Sequence, residues 1–337
     1  MSLKVLHIND VAGVGTNLVY GLQSLGIQAE LIKPTLGTYQ ASKLRRFTLP
    51  IIRTWEAYQL RRLFIQERYD IVHIHYARFA YMALLTKIPY CLHCHGSDLR
   101  LDLNNPILRG LTIHAIRKAQ SVFYSTPDLK QYLDTIREDT IFLPNPIILD
   151  TFSPTSRESR QSKRILSISK LDRYKGLDKI LRTIELVWLA RPNIEFGLMN
   201  FGNARSQAQK FINTYHNKTQ LKLIPRTPHK KIPSLINEFS FVLGHLSSIA
   251  SMLTISELEA MACEKAVVCN FTYLDAYPET PPVLISTTPE EAKDHILNLL
   301  DNPGNLNEIG NRSREWVMNN HDHIHIAKVL LKYYQAI

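Results

Sequence analysis

Short β-rich apolar segments, each followed by a longer stretch of helical pattern, run through this chain twice, once on either side of a proline-marked break. In the first half, residues 4–9 precede a helical pattern at 16–25, residues 71–76 precede one at 80–85, and residues 90–95 precede one at 107–118. Strands joined through helices cannot be hairpin partners, so the repeat predicts a parallel sheet with helices on its faces. Further short strands are expected at 122–125 and 141–144. Pro144, Pro146 and Pro154 then fall in PNPIILDTFSP, where neither helix nor sheet continues, which makes this stretch the natural linker. The alternation restarts at 164–169 and continues through 194–200, 221–224, 241–246 and 266–270. A length of 337 residues exceeds what one core usually spans, in keeping with two doubly wound α/β domains. The stretch 307–334 reads as two helices parted around the histidine-rich 321–325.

Composition narrows the class. With 45% hydrophobic and 21% charged residues the chain has apolar mass for two cores and no polar tract that resists folding. A formal charge of +10 favours an anionic partner: a phosphorylated small molecule, an acidic lipid surface or a nucleic acid. No nucleic-acid-binding signature accompanies the charge, so nucleic acid is not expected as a partner. The first residues, MSLKVLHIND, run straight into a strand pattern without a secretory signal, and no apolar run approaches the roughly 20 residues of a membrane span. Four cysteines then read as free thiols in a reducing compartment, and the expected location is cytoplasmic, soluble or peripheral at the inner membrane face.

Within segment 42–62, from Ser42 to Arg62, Lys43, Arg45, Arg46, Arg53, Arg61 and Arg62 interleave with Phe47, Leu49, Ile51, Ile52 and Trp55. Such a segment suits an anionic lipid surface, or a solvated helix with one core face. Pro50 argues against one uninterrupted helix here.

The residues that can carry chemistry collect behind strands. Gly13 and Gly15 of NDVAGVGTN stand at a strand-to-helix turn, where backbone amides can approach an anion. Leu18 occupies the place of a third glycine, which weakens a dinucleotide fingerprint. Lys170, Arg173 and Lys175 follow the first strand of the second half, in SISKLDRYKGLDKIL, at the edge where such sheets bind ligands. Fixed cations there suit a diphosphate, with a solvated basic loop as the plain alternative. His73, His75, Cys91, His93, Cys94 and His95 are zinc-ligand types near the ends of two adjacent strands. Strand alternation sends Cys91 and Cys94 to opposite faces, which argues against a metal and leaves His73, His93 and His95 as the conceivable set.

The glycine turn, DIVHIHY, the strand ending in HGSD, VFYSTPDL, PNPIILDTFSP, SKLDRYKG, SELEAMACEKAVV and GNRSREWV follow one another in the order of a known family. Across nearly its whole length the chain resembles the retaining GT-B glycosyltransferases of family four, also called glycosyl transferases group 1. The resemblance implies two Rossmann-like domains facing a cleft: residues 1–150 on the acceptor side, 151–318 for the nucleotide sugar, and a C-terminal helix, 319–337, packing back on the first. It further implies retaining, metal-independent transfer of a hexose-type sugar from a UDP- or GDP-sugar to a hydroxyl of a glycan or lipid-linked acceptor. No cofactor and no protein nucleophile are needed.

The family's Gly-Arg-Leu and Lys-Gly correspond to Ser169-Lys170-Leu171 and Lys175-Gly176, so Lys170 and Lys175 are expected on the diphosphate, stabilising the leaving group. By the same resemblance Glu259 meets the ribose, Gly13 and Gly15 the phosphates, and His95 the donor sugar. Asp98 orients a loop or an acceptor hydroxyl. For Glu259 a structural alternative is open, since a carboxylate near the start of a helix at 256–263 complements its dipole. The family has a further glutamate eight positions before the ribose glutamate, and here Ser251 stands in its place. Its glycine loop is replaced by Met252-Leu253-Thr254, leaving Ser251 and Thr254 as neutral contacts to the donor. That departure motivates a rival expectation: a non-catalytic GT-B module that binds a nucleotide, a glycan or a transferase partner.

Overall fold

A computed structural model describes residues 3–34, 43–155, 163–215, 218–249 and 251–337; the side chains of 43–47, 49 and 218 lie outside the description. The first sheet contains β1 Lys4–Ile8, β2 Gln28–Ile32, β3 Ile71–His75, β4 Cys91–Cys94, β5 Val122–Tyr124 and β6 Thr140–Phe142. Its order is β2-β1-β3-β4-β5-β6, with every pairing parallel. The second contains β7 Arg164–Ser167, β8 Glu195–Met199, β9 Leu221–Ile224, β10 Phe241–Leu243, β11 Val267–Cys269 and β12 Leu284–Ile285. It is also parallel, in the order β12-β11-β10-β7-β8-β9.

Two compact units result, Met1–Pro146 with His323–Ile337, and Ile147–Asp322. The second is closed at its base by a bridge between Ile147 and Asp322, and Ile147 N donates to His321 O at 2.7 Å.

Strand periodicity separates the faces of the first sheet. Leu6, Ile8, Val72, Ile74, Leu92 and Val122 point one way, into an apolar cluster with Leu60, Met82, Ala115 and Ile116. Their neighbours His7, His73, His75 and His93 point the other way and are fully buried. Tyr334, from the helix His323–Tyr334, packs against two of them, its hydroxyl 2.7 Å from His73 Nδ1 and 3.4 Å from His7 Nε2. Both faces of the second sheet are apolar, one lined by Ile165, Phe196, Phe241 and Val268, the other by Leu166, Met199, Val242 and Cys269. Helix Leu177–Ala190 docks on the former through Leu177, Ile180, Leu181, Ile184, Val187 and Trp188, an i, i+3, i+4, i+7 stripe.

Two strands escape the periodicity argument. β2 (QAELI) and β12 (LI) are edge strands, partly exposed, with too few apolar residues to stand out. Pro50 does not end a helix: Lys43–Glu67 runs through it. A proline removes one backbone bond, and here buried Ala57 and Leu60 anchor the later turns. Ser42 and the side chains of Lys43, Arg45, Arg46, Phe47 and Leu49, part of the expected lipid-facing segment, lie outside the described residues.

Helix Val14–Ser24 approaches the C-terminal helix closely at Gly21, where an added Cβ would stand 2.5 Å from His323 O and 2.9 Å from Ala327 Cβ. Gly21→Val is therefore expected to destabilise the protein by about 1–3 kcal/mol through overpacking, read from the midpoint of denaturant unfolding.

Candidate functional site

In each sheet the chain reverses its direction of winding beside one strand: β1 lies between β2 and β3, and β7 between β10 and β8. Loops leaving the carboxyl ends of the strands part at such a point and leave room for a ligand. Gly13 and Gly15 follow β1 and Lys170 and Lys175 follow β7, while His95 and Asp98 follow β4, and Ser251, Thr254 and Glu259 lie between β10 and β11.

In the second unit the loop after β7 is fixed by its backbone. Leu171 N donates to Phe201 O at 2.8 Å, and Ala204 N donates to Leu171 O at 2.9 Å. The Asp172 carboxylate accepts from Tyr174 N at 3.0 Å and caps the short turn Arg173–Lys175. Gly176 follows with φ 76°, a left-handed position where a Cβ would also come within 2.6 Å of the Leu246 carbonyl. Leu246 N in turn donates to Lys175 O at 3.3 Å. The lysine-bearing turn is thus clamped to the loop after β10. Lys170 sits half-exposed with its ammonium 3.4 Å from Asp172.

The loop after β10 is organised by a buried carboxylate. Thr254 is the N-cap of helix Ile255–Ala262, and Glu257 completes a capping box. Glu257 accepts from Thr254 N at 2.8 Å, from the Thr254 hydroxyl, and from His245 N at 2.9 Å. Burial pushes its carboxyl up, but neighbouring His245, the Thr254 hydroxyl and the Lys175 ammonium more than offset this and hold it below the ordinary range. His245 donates from Nε2 to Met252 O at 2.7 Å and accepts at Nδ1 from Ser247 N at 3.3 Å, a neutral ring whose pKa burial lowers. Asn270 adds bonds to Ser247 O and His245 O.

The expected donor contacts are distributed unevenly over this frame. The Thr254 hydroxyl and amide both go to Glu257, which gives Thr254 a capping role. Ser251 Oγ lies 2.6 Å from Thr272 Oγ1. Glu259 is 5% exposed, with Oε1 2.5 Å from His229 Nε2; burial raises its pKa and the His229 bond opposes the rise. The helix-start carboxylate expected of Glu259 is in fact Glu257, because the helix begins one residue earlier than read and Glu259 is its fifth residue. His229 and His245 carried no motif; His245 could have been found as a polar residue directly behind a buried strand, while His229 sits in an unremarkable basic run.

In the first unit, Gly13 has φ 85° at the start of helix Val14–Ser24, and a Cβ on Gly15 would lie 2.8 Å from Asn9 O. Asp10 already places negative charge at this helix end, accepting from Thr16 N and Thr16 Oγ1 and pairing with Lys33 at 2.8 Å. Asp98 is completely buried and accepts from the backbone amides of Gly96 (2.8 Å), His95 (3.1 Å) and Ala77 (3.3 Å). Burial pushes its carboxyl up to about 6. These bonds tie Asp98 to the backbone of the loop after β4 and to Ala77.

His95, partly exposed, lies 3.0 Å from His75 Nδ1 through Nε2, and His75 Nε2 lies 2.9 Å from His7 Nδ1. Burial lowers His7 and His95 to about 3, and His73, His75 and His93 well below the ordinary value, so all five rings are neutral at pH 7. Ring nitrogens of His7, His73 and His75, and of His75, His93 and His95, lie within 4.8 Å of one another. No metal was expected here, and these groupings differ from the one conceivable set, His73, His93 and His95. His7 went unnoticed because it stands alone in its strand, and only the pairing of β1 with β3 brings it to His73. Cys91 and Cys94 are buried free thiols.

Removing the Glu257 carboxylate leaves three donors unmatched. Glu257→Ala is expected to lower unfolding stability by about 3 kcal/mol, whereas Ser251→Ala, which loses one exposed neutral bond, changes it by roughly 0.5 kcal/mol; paired denaturant melts check the contrast.

Residues 14–151 match the family model described as Glycosyltransferase Family 4, and residues 150–316 the one described as Glycosyl transferases group 1. Among curated proteins the chain is similar to the phosphatidylinositol N-acetylglucosaminyltransferase GPI3 subunit of Saccharomyces cerevisiae, at 22% identity over 247 residues, 66% of this chain and 52% of that protein. The chain thus spans about half the length of the curated relatives it matches. Among solved structures, Anabaena HepE in complex with UDP and glucose aligns with a TM-score of 0.75 at 13% identity, covering 99% of this chain and 100% of that one. Sucrose-phosphate synthase from Thermosynechococcus elongatus aligns with a TM-score of 0.76 at 13% identity, covering 99% and 98%.

Proposed function

The chain belongs to the GT-B glycosyltransferases of group 1, and from that premise we propose that it moves a hexose-type sugar from a nucleoside-diphosphate sugar to a hydroxyl, with retention of configuration. The observation that carries this reading is the lysine turn Arg173–Lys175, clamped to the loop after β10 at the winding reversal of the second sheet. Lys170 and Lys175 would neutralise the charge that develops on the departing diphosphate, in a turn held by the backbone bonds of Leu171 and Leu246. Glu259 would take the ribose hydroxyls through whatever capacity His229 leaves it. UDP is favoured over GDP because HepE was solved with UDP and with UDP and glucose. On the first unit, Gly13, Gly15 and His95 are the residues that the family resemblance offers for phosphate and sugar contacts. The reading asks for no metal in the transfer step.

A lipid-linked acceptor is supported by helix Lys43–Glu67, on which Ile51, Trp55, Tyr58 and Ile65 stand exposed at intervals of three, four and seven residues, next to exposed Arg61 and Arg62. Spacing of this kind puts the four side chains on one helix face, with Arg61 at its margin and Arg62 within it, a mixed basic and apolar face suited to an anionic bilayer. Among the described residues no helix is long and apolar enough to cross a membrane. A second reading, a GT-B module that binds without turnover, is favoured by Ser251, whose neutral hydroxyl is directed to Thr272 where the family carries a glutamate. The GPI3 relative is named as a subunit, which fits a partner-bound version of either reading.

Purified protein is expected to bind UDP, with Lys175→Ala weakening binding by more than about 1.4 kcal/mol, a tenfold loss in calorimetric titration; unchanged affinity removes the lysine assignment. Across a panel of sugar nucleotides, slow donor hydrolysis or transfer that disappears in the Lys170→Ala, Lys175→Ala double variant rejects the binding-module reading, and binding with no turnover rejects the transferase. Vesicles containing phosphatidylserine are expected to sediment the protein, and Trp55→Ala with Tyr58→Ala to reduce the bound fraction several-fold; equal sedimentation on neutral vesicles removes the lipid-facing role.

A further inference from the structure

His95 is the single member of the histidine cluster that the proposed transfer uses. The other four stand buried on the same sheet face, and an imidazole removed from water costs stability unless both nitrogens find partners. Neither nitrogen of His93 makes a hydrogen bond of ordinary geometry, although the Leu143 backbone acts on the ring electrostatically. His93 lies edge to face with His73 and close to His75 and His95, with ring centroids 5.4 Å and 4.2 Å from the last two. Between His75 Nδ1 and His95 Nε2 the separation is 3.0 Å. Two lone pairs cannot face each other at that distance, so a proton or a cation lies between them.

The cation fits the donor set. Zinc–imidazole bonds of about 2.0–2.1 Å in a tetrahedral shell put two ligand nitrogens about 3.3 Å apart, a small adjustment from the spacing here. Neutral imidazoles select borderline metals of the zinc class over calcium or magnesium, which require oxygen. A cation entering here takes the place of the proton shared by His75 Nδ1 and His95 Nε2, which moves to another ring nitrogen or to solvent. The other triple, His7, His73 and His75, is less suited, because all three rings are fully enclosed and Tyr334 takes His73 Nδ1.

We propose that His75, His93 and His95 form a binding site for one zinc-class divalent cation, open on the His95 side for entry and for a fourth, exchangeable ligand. Asp10, whose charge acts on His95, supplies part of the compensating negative potential. Occupancy engages the ring assigned to the donor sugar, so such ions inhibit the transfer; this consequence rests on the transfer reading, while the binding itself does not.

The test uses the full chain, stripped with a chelator and titrated with cobalt(II) at neutral pH without sugar nucleotide. Visible ligand-field absorption of a low-coordinate centre is expected, saturating at a single ion per chain and bleached by zinc. His93→Phe is expected to weaken binding by more than the roughly 10–100-fold typical of losing an outer-shell partner, and His114→Ala, on an exposed helix face, to leave it unchanged. Should His93→Phe fail to fold, His95→Asn, at the partly exposed position, carries the same expectation. Absence of the absorption, or equal titration of wild type and ligand variants, overturns the site and leaves a proton-bonded histidine chain in its place. Because no nucleotide is present, that outcome is independent of donor binding.

Discussion

A parallel strand can be re-entered only from the end where its neighbours also begin, so every loop that leaves a strand's carboxyl end gathers on one edge of the sheet. In both units this constraint places the chemistry. Reversal of winding beside β1 and beside β7 parts two sets of loops. The glycine turn, His95, the lysine turn and the loop after β10 all lie on those edges, although they come from four distant stretches of sequence.

What fixes the second of these edges is a charge buried out of water. Glu257 is 1% exposed, a burial that would cost several kcal/mol if the carboxylate were unpartnered. Three donors meet it, and all of them belong to the loop it holds. The carboxylate therefore stabilises the folded loop in proportion to how well that loop keeps its shape. Gly176 transmits this order to the lysines, since only a residue without a side chain allows the turn to rest on Leu246.

Much of this architecture was legible in the sequence because burial imposes period. β3 reads IVHIH and every residue of it is buried; helix Leu177–Ala190 carries its core stripe openly. Edge strands β2 and β12, half in solvent, carry no such imprint. At the site the lysines stood out because charge behind an apolar strand is conspicuous. Glu257 did not, because a capping glutamate looks like any other until its depth is known. Neither His229 beside Glu259 nor Tyr334 over the histidines could be anticipated: each contact joins residues far apart in the chain, 30 positions in the first case and 261 in the second.

The helix His323–Tyr334 belongs with residues 1–146, so the whole of Ile147–Asp322 is an insertion within the first unit. During synthesis this imposes an order. The second unit, closed by the Ile147–Asp322 bridge, has all of its chain available before the ribosome has made the helix that seals the histidine face of the first. Until that helix is made, the earlier-made sheet lacks the Tyr334 side chain that packs against His73 and His7. The unit that begins first is thus the last to be completed.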